Sequence, residues 1–212
     1  MATILTALQN DFLRAFFQLA QGFYLTGGTA LSAFYLQHRF SVALDLFTND
    51  AATFPHAEAL VKETSAKLGI AYVPVEITSF FKHFRVGPKE APLTLHFAKD
   101  VPFRIKPPNR FGDVLVDALE DIAANKICAA LGRTEIKDLI DLYFLDQAGY
   151  SIPKYFDAAQ QKDGGLAYET LAFTLSQFEI LEIPAFMIKP VAVEDLKQFL
   201  ETTIAWLIRQ AP

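Results

Sequence analysis

Two adjacent glycines, Gly27 and Gly28, constrain the fold of this chain more than any other feature of its sequence. They separate a short apolar run at residues 23–25 from residues 31–37, whose apolar side chains have helical spacing. In the order strand, glycine turn, helix, the backbone can approach a ligand closely, and the free N–H groups at the helix start favour a phosphate. The turn is therefore a candidate phosphate-binding site, although the same pattern also occurs in turns that bind nothing.

Hydrophobic spacing predicts an α/β half followed by a helical half. In the predicted strand 41–48 the apolar residues alternate, so Ala43 and Asp45 lie on the same face. We place a domain boundary near residue 112, after a Pro-Pro break, which gives domains 1–112 and 113–212. The predicted helices are 4–20, 31–37, 56–68, 117–131, 135–147, 151–162, 166–178 and 194–209, and the predicted strands are 23–25, 41–48, 70–77, 79–86 and 92–98, the last three forming a mostly antiparallel sheet edge.

The charge balance excludes a generally basic surface for nucleic acid, because acidic residues outnumber basic ones 24 to 19. Any nucleic-acid site must be a local patch. Lys82 and Arg85 in the run FFKHFRVG are candidates, with a solvated strand face as the alternative. The single cysteine, Cys128, cannot form an intrachain disulfide, and the chain has neither a signal-like N-terminus nor an apolar stretch of about 18–20 residues that could span a bilayer. We expect a cytoplasmic protein with no membrane partner.

Two regions of the chain resemble motifs of a known family. The stretch LTGGTALSAFYLQHRFSVALDLF, residues 25–47, resembles the opening motif of the abortive-infection nucleotidyltransferases of the AbiEii type, within the DNA polymerase beta-like superfamily. That motif reads L-x-G-G-[ST]-x-L followed by H-R-x-S-x-D-[IL]-D-L, and the matching residues are Leu25, Gly27, Gly28, Thr29, Leu31, His38, Arg39, Ser41, Leu44, Asp45 and Leu46. Residues 119–145 resemble the helical motif of the family, with matches at Lys126, Arg133, Asp138 and Asp141.

The resemblance implies a fold, an activity and a set of site residues. The fold is the nucleotidyltransferase-type mixed sheet with flanking helices, followed by a C-terminal helical bundle. The activity is transfer of a nucleoside monophosphate from an NTP to RNA or another acceptor, with Mg²⁺ as cofactor and a cognate antitoxin as partner. The implied residues are Gly27, Gly28, Thr29, Arg39, Ser41 and Lys126 for nucleotide binding, Asp45, Lys126 and Asp138 for catalysis, and Asp45 for the metal.

The metal site departs from the family pattern. Nucleotidyl transfer uses two Mg²⁺ ions that grip the attacking and leaving oxygens, and about three carboxylates hold them. Ala43 stands where the family has an aspartate, and we align His96 with the third carboxylate. Histidine is a poor ligand for Mg²⁺, although it suits softer metals. We therefore expect impaired activity, unless Asp100 or Asp113 is recruited to the site.

Two further interpretations stay open at this point. The chain could be a non-catalytic nucleotide-binding or partner-binding module on the same fold, or Ala43 could be an engineered or acquired change in a working toxin.

The roles of two residues in the opening motif also have alternatives. Arg39 follows the predicted helix and could hold phosphate or interact with the helix C-terminus. Ser41 could bind substrate or end the loop before the strand.

Lys126 is unexpected because it lies on the apolar stripe of its predicted helix, in register with Ile122 and Ile127. Burying an ammonium without an anion is costly, so Lys126 should reach a nucleotide phosphate or a carboxylate such as Asp138, unless it snorkels from the edge of the stripe. Asp138 and Asp141 lie one turn apart on the next helix. Pairing with a cation and a direct catalytic role are both open for them.

Overall fold

The computed structural model describes residues 4–211 and divides them into two compact units, one ending at Ala118 and the other beginning at Leu119. Within these residues, the N-terminal unit is built on a seven-stranded sheet and the C-terminal unit on five helices. The predicted α/β fold, with a mixed sheet followed by a helical half, is confirmed.

The sheet of the N-terminal unit has the strand order β3-β4-β5-β2-β1-β7-β6. β2 is parallel to β5 and β1 is parallel to β7, whereas the other neighbouring strands are antiparallel. The elements are α1 (Ala7–Leu19), β1 (Tyr24–Thr26), α2 (Gly27–Ala30) continuing as a π-helix (Leu31–Leu36), β2 (Ala43–Thr48), a 3₁₀ helix (Phe54–His56), α3 (Ala57–Leu68), β3 (Tyr72–Ile77), β4 (Phe81–Val86), β5 (Leu93–Lys99), β6 (Asn109–Phe111) and β7 (Val114–Val116).

One face of this sheet is buried and the other is half-open. On the buried face, Leu44 and Leu46 of β2 lie beside Leu95 and Phe97 of β5, and all four are inaccessible to solvent. Burying each such side chain contributes about 1.5–3 kcal/mol, which fixes the register of the two strands. The alternate residues of β2 and β5 must then point to the opposite face, which is where the candidate site lies.

Helix α1 covers the buried face and also holds the segment that leads into β2. It begins with a capping box, in which the hydroxyl of Thr6 accepts a hydrogen bond from the Gln9 N–H at 3.2 Å. The aromatic ring of Phe16 packs against Phe97, with 5.6 Å between the ring centroids. The amide of the buried Gln9 donates to the carbonyl of Ser41 at 2.9 Å, so the entry into β2 is fixed.

The C-terminal unit is a bundle in which aromatic rings pack between helices. Phe156 stacks on Tyr168 with 4.1 Å between centroids, and the single tryptophan, Trp206, contacts both rings. Among residues 4–211, none of the helices combines the length and the apolar character needed to span a bilayer. The helices are α4 (Leu119–Gly132), α5 (Ile136–Gln147), α6 (Ile152–Lys162), α7 (Tyr168–Ser176) and α8 (Val193–Gln210).

The structure corrects the sequence-based elements near the predicted boundary. The hairpin of β6 and β7 was not predicted, and β7 joins the sheet beside β1, with Leu25 opposite Val116. The N-terminal unit extends to Ala118 in the structure, whereas the sequence placed a domain boundary near residue 112. β6 and β7 have three residues each, too few to show alternation, and unlike β1 they are not followed by a glycine turn into a helix.

The helix at the glycine turn differs from its prediction in how it winds. It begins at Gly27, immediately after β1, and winds as a π-helix from Leu31 to Leu36. It ends at Gln37, which has a left-handed backbone conformation with φ of 53°. A π-helix holds more residues per turn than an α-helix, so apolar spacing located the helix but not its winding.

Candidate functional site

The glycine turn packs directly against residues that the sequence assigned to the site. Gly27 has φ of 69°, a left-handed conformation that favours glycine, and a Cβ there would overlap the Asp45 carboxylate. A Cβ on Gly28 would overlap the Arg39 guanidinium and would lie 3.3 Å from the Ser41 hydroxyl. The two glycines are therefore required for the turn to approach Asp45, Arg39 and Ser41.

Thr29, another predicted nucleotide-binding residue, is buried. Its side chain is 1% exposed, and its hydroxyl donates a hydrogen bond to the Ala43 carbonyl at 2.5 Å. This bond ties the start of the helix to the first residue of β2. Thr29 thus holds the turn in position through the hydrogen bond that its hydroxyl donates to β2.

Arg39 and Ser41 are also held by neighbouring groups. Arg39 is 4% exposed, and its Nη1 donates to the carbonyl of Phe40 at 3.0 Å. Because side chains alternate along the extended segment before β2, Arg39 and Ser41 point toward Gly28, whereas Phe40 and Val42 point outward and are exposed. The predicted nucleotide-binding residues of this unit are therefore brought together around the turn.

Asp45 lies at the centre of the half-open face, between Thr26 of β1 and His96 of β5 in the strand register. The Nδ1 of His96 lies 3.0 Å from the Oδ1 of Asp45, within hydrogen-bond distance. The side chains of His96 and Asp45 are 31% and 28% exposed, so both reach solvent. The alignment of His96 beside Asp45, made from the alternation of β5, is consistent with this register.

His83 extends the same row onto β4, where it lies opposite His96. The two rings meet edge to face, with 4.9 Å between centroids. Burial, the neighbouring His96 and the charge of Arg85 lower the pKa of His83 below its ordinary value. His83 therefore adds no positive charge to the site at neutral pH.

Lys82 does not belong to a nucleic-acid patch with Arg85. It points to the opposite, buried face of β4 and is 6% exposed, and its ammonium donates to the carbonyls of Phe54 and Pro55. Arg85 alone is exposed on the half-open face. The alternation of β4 puts these two cations on opposite sides of the sheet, so they do not form one patch.

The donor set around Asp45 does not fit Mg²⁺. Ala43 and Thr94, the next pair in the register, supply no carboxylate, and His96 already engages Asp45. Across residues 4–211, no group of three or more His, Cys, Asp or Glu side chains is arranged to hold a metal ion. Two Mg²⁺ ions need about three carboxylate ligands, so Asp45 alone is too few to hold them.

The two other carboxylates considered from the sequence lie elsewhere. Asp100 follows β5 and accepts a hydrogen bond from the hydroxyl of Tyr24 at 2.7 Å. Asp113 lies in the turn between β6 and β7 and lines a cavity of about 300 Å³ beside Gly22, at the opposite end of β1 from the glycine turn. Neither residue stands in for the missing carboxylate at position 43.

A buried carboxylate that the sequence did not single out supports the glycine turn from the other side. Asp117 is inaccessible to solvent, accepts a hydrogen bond from Thr26 at 2.8 Å and pairs with Arg104 at 2.5 Å. The guanidinium of Arg104 also lies over the ring of Tyr24, 4.3 Å from its centroid. Thr26 is the residue immediately before Gly27, so this network fixes the strand end from which the turn begins. No local pattern marks these residues, because they meet only in the folded chain.

In the C-terminal unit, Lys126 lies between two buried carboxylates. Its ammonium is 3.0 Å from Asp138 and 2.6 Å from Asp141, and its side chain is only 7% exposed. Asp138 also accepts a hydrogen bond from Arg133 at 2.7 Å. Of the alternatives left open by the sequence, ion pairing within this unit describes the observed contacts of Lys126 and both aspartates.

Protonation of Asp138 in acid should lower the free energy of unfolding of the C-terminal unit. Burial alone raises the pKa of Asp138, but the charge of Lys126 and the hydrogen bonds from Arg133 and Lys126 outweigh it, so the pKa is lowered overall. A lowered folded-state pKa gives stability that is complete above about pH 4, the unfolded value, and is lost as pH falls through the folded value. Urea unfolding at falling pH, followed by Trp206 fluorescence, should show this loss. In Asp138→Asn that part of the pH dependence should disappear; an unchanged acid slope in this variant would exclude Asp138 as its source.

Comparison with known proteins gives one family and several similar folds. Residues 11–205 match the profile of a family described as the nucleotidyl transferase AbiEii toxin of type IV toxin–antitoxin systems. No curated protein gives a significant match. A structure described as a candidate nucleotidyltransferase from Helicobacter pylori is 19% identical with a TM-score of 0.61, covering 96% of this chain and 92% of that one. MenT4, a nucleotidyltransferase toxin from Mycobacterium tuberculosis H37Rv, is 16% identical with a TM-score of 0.52, covering 95% and 82%. At these identities, the likeness to the two structures concerns the fold.

Proposed function

The chain belongs to the AbiEii nucleotidyltransferase toxin family, and from this premise we propose that it binds a nucleoside triphosphate but transfers the nucleotidyl group at a strongly reduced rate. Membership of a type IV toxin–antitoxin family implies a nucleotide substrate and a cognate antitoxin. RNA or another acceptor for the nucleotidyl group is part of the proposal.

The arrangement around the glycine turn supports the binding half of the proposal. Gly27 and Gly28 bring the backbone at the helix start up to the Asp45 carboxylate, and the guanidinium of Arg39 lies against Gly28. N–H groups at a helix start and a guanidinium both favour phosphate oxygens. We assign nucleotide binding to Gly27, Gly28, Arg39 and Ser41, and we assign Thr29 the support of the turn.

The reduced rate is inferred from a single observation: Asp45 pairs with His96, and position 43, the next residue on the same face of β2, is an alanine. With one carboxylate, already engaged by an imidazole, the site has too little negative charge to dehydrate and fix Mg²⁺. No step of two-metal transfer can be assigned to the residues present. Asp45 keeps a proposed place beside the bound nucleotide, and its role as a metal ligand is not part of the proposal.

Lys126 and Asp138 are the family-implied residues of the C-terminal unit. Two buried carboxylates surround the ammonium of Lys126, and this supports a structural contribution of Lys126 and Asp138 to their unit. It also supports the second candidate function, a nucleotide-binding or partner-binding module without catalysis, because an ammonium held in this way is less available to a triphosphate.

Binding of a nucleoside triphosphate is the first test of the proposal. Isothermal calorimetry with Mg²⁺-NTPs should detect binding to the unmodified chain. Gly28→Val should weaken it by about tenfold or more, roughly 1.4 kcal/mol, because the new side chain displaces Arg39 from the turn. Gly164→Val is the matched control, since a Cβ at Gly164 meets no atom within 4 Å. No binding by the unmodified chain, or equal affinity in a folded Gly28→Val variant, would contradict the proposed site.

A further inference from the structure

His96 differs from the other histidines of the chain in its surroundings. The sequence contains four, of which His38 is inaccessible to solvent and His83 has its Nε2 buried. His56 is exposed at the end of the 3₁₀ helix, and no carboxylate contact is recorded for it within the described chain. His96 combines partial exposure with a carboxylate hydrogen bond to Asp45.

The contact with Asp45 decides which nitrogen of His96 is reactive. A carboxylate can only accept a hydrogen bond, so the Nδ1 of His96 carries the proton that it shares with Asp45. In the neutral imidazole the lone pair then lies on Nε2. This atom has no hydrogen-bond partner within residues 4–211 and is not among the buried unpartnered atoms, so it is open to solvent. A carboxylate that orients an imidazole and stabilises positive charge on it is the arrangement that activates histidine in catalysis.

The position of this pair brings it next to the proposed phosphate site. Gly27 packs against the Asp45 carboxylate, and His96 lies on the other side of Asp45 in the strand register. A nucleoside triphosphate held at the turn would therefore have its phosphates beside an oriented imidazole. Position 43, the next residue on this face of β2, carries no carboxylate to hold a metal ion, so the imidazole would face the phosphates directly.

We propose that His96 accepts a nucleotidyl group covalently at Nε2 from a bound nucleoside triphosphate. The Nε2 lone pair attacks the α-phosphorus, an N–P bond forms, and the bond from that phosphorus to the bridging oxygen breaks. Pyrophosphate leaves with the electron pair. The positive charge that develops on the ring is held by Asp45, and the Nδ1 proton passes to Asp45 and then to water. The product is one nucleotidyl-histidine per chain.

This inference rests on the proposed binding of nucleotide at the glycine turn and is tested by a readout independent of turnover. The full chain is incubated with α-³²P-labelled NTPs and Mg²⁺, denatured, and analysed by intact mass and by peptide mapping. We expect label that survives denaturation, is stable in base and labile in acid as an N–P bond is, and maps to His96. A γ-label should not be retained, because it leaves with pyrophosphate.

Variants locate the reacting atom. His96→Asn should lower the label at least about 100-fold, and Asp45→Asn, which keeps the imidazole but removes the charge that orients it, should lower it about tenfold or more. His56→Asn, which removes an exposed histidine without a carboxylate contact, should leave it unchanged. Peptide mapping of the unmodified chain gives a result even if a variant fails to fold. Label on another residue, or none in a chain that binds nucleotide in calorimetry, would overturn the inference alone, and a chain that binds no nucleotide would overturn it together with the proposed function.

Discussion

Ala43→Asp combined with His96→Asp is expected to raise nucleotide transfer to an RNA acceptor by at least ~100-fold, about 2.7 kcal/mol of activation free energy. Positions 43 and 45 lie on the same face of β2, and position 96 lies opposite Asp45 on β5. The double variant would therefore present three carboxylates in adjacent positions, the number that two Mg²⁺ ions require. Ala43→Asp alone should give part of this gain, because His96 would still engage Asp45.

Transfer of labelled nucleotide to candidate RNA acceptors, with Mg²⁺ and with Mn²⁺, measures this gain. Ala43→Asn combined with His96→Asn is the matched control, since it adds side chains of the same shape without charge and should give no increase. A rate of ~1 s⁻¹ in the unmodified chain, typical of working enzymes, would show that the interpretation of Ala43 and His96 is wrong. A double variant that binds nucleotide but transfers no faster would exclude the missing carboxylates as the cause.

Lys126→Met is expected to lower the free energy of unfolding of the C-terminal unit by about 3–5 kcal/mol, the usual effect of breaking a buried ion pair from one side. Asp138 and Asp141 are inaccessible to solvent, and the ammonium of Lys126 lies between them. Without it, two buried carboxylates would face each other. Urea unfolding followed by Trp206 fluorescence reports on this unit, because the indole packs against Phe156 and Tyr168 within it.

Two further variants test whether the loss of stability comes from the buried ion pairs of Lys126 or from removing any ammonium. Lys137→Met removes an ammonium that pairs with Glu135 at an exposed position, and it should change stability by only ~0–1 kcal/mol. Adding Asp138→Asn and Asp141→Asn to Lys126→Met should recover part of the loss, because the unpaired negative charges are then removed. If Lys126→Met costs less than about 1 kcal/mol, the network does not hold this unit together.

The sequence predicted the parts of the site that depend on local alternation and turn chemistry. The strand, glycine turn and helix around Gly27 follow from periodicity along single elements, whereas the alignment of His96 with Asp45 also used the family resemblance. Two glycines side by side also predicted a close backbone approach, and the structure shows the residues approached, Asp45 and Arg39. The turn and the face on which each side chain lies depend on residues a few positions apart, so a linear reading captures them.

Other parts of the site could not be predicted because they depend on distant residues. Thr26 and Asp117 are 91 positions apart, and only the parallel pairing of β1 with β7 brings them together. Thr29 was predicted to bind nucleotide, and the contact of its hydroxyl with the Ala43 carbonyl could not be foreseen from the motif. For Lys126 the sequence required an anion without specifying which one, and the structure supplies two aspartates.

The pairing of β7 with β1 determines where the chain can be truncated without disrupting the N-terminal unit. β7 covers one side of β1, the strand that carries the glycine turn, and Leu25 accepts a hydrogen bond from the N–H of Asp117 at 2.8 Å. A shortened chain ending at residue 112 would leave β1 as a bare edge strand with unpaired backbone groups, and such edges recruit strands from other molecules. Fragmentation or domain exchange that preserves this unit must therefore keep the chain at least to Asp117.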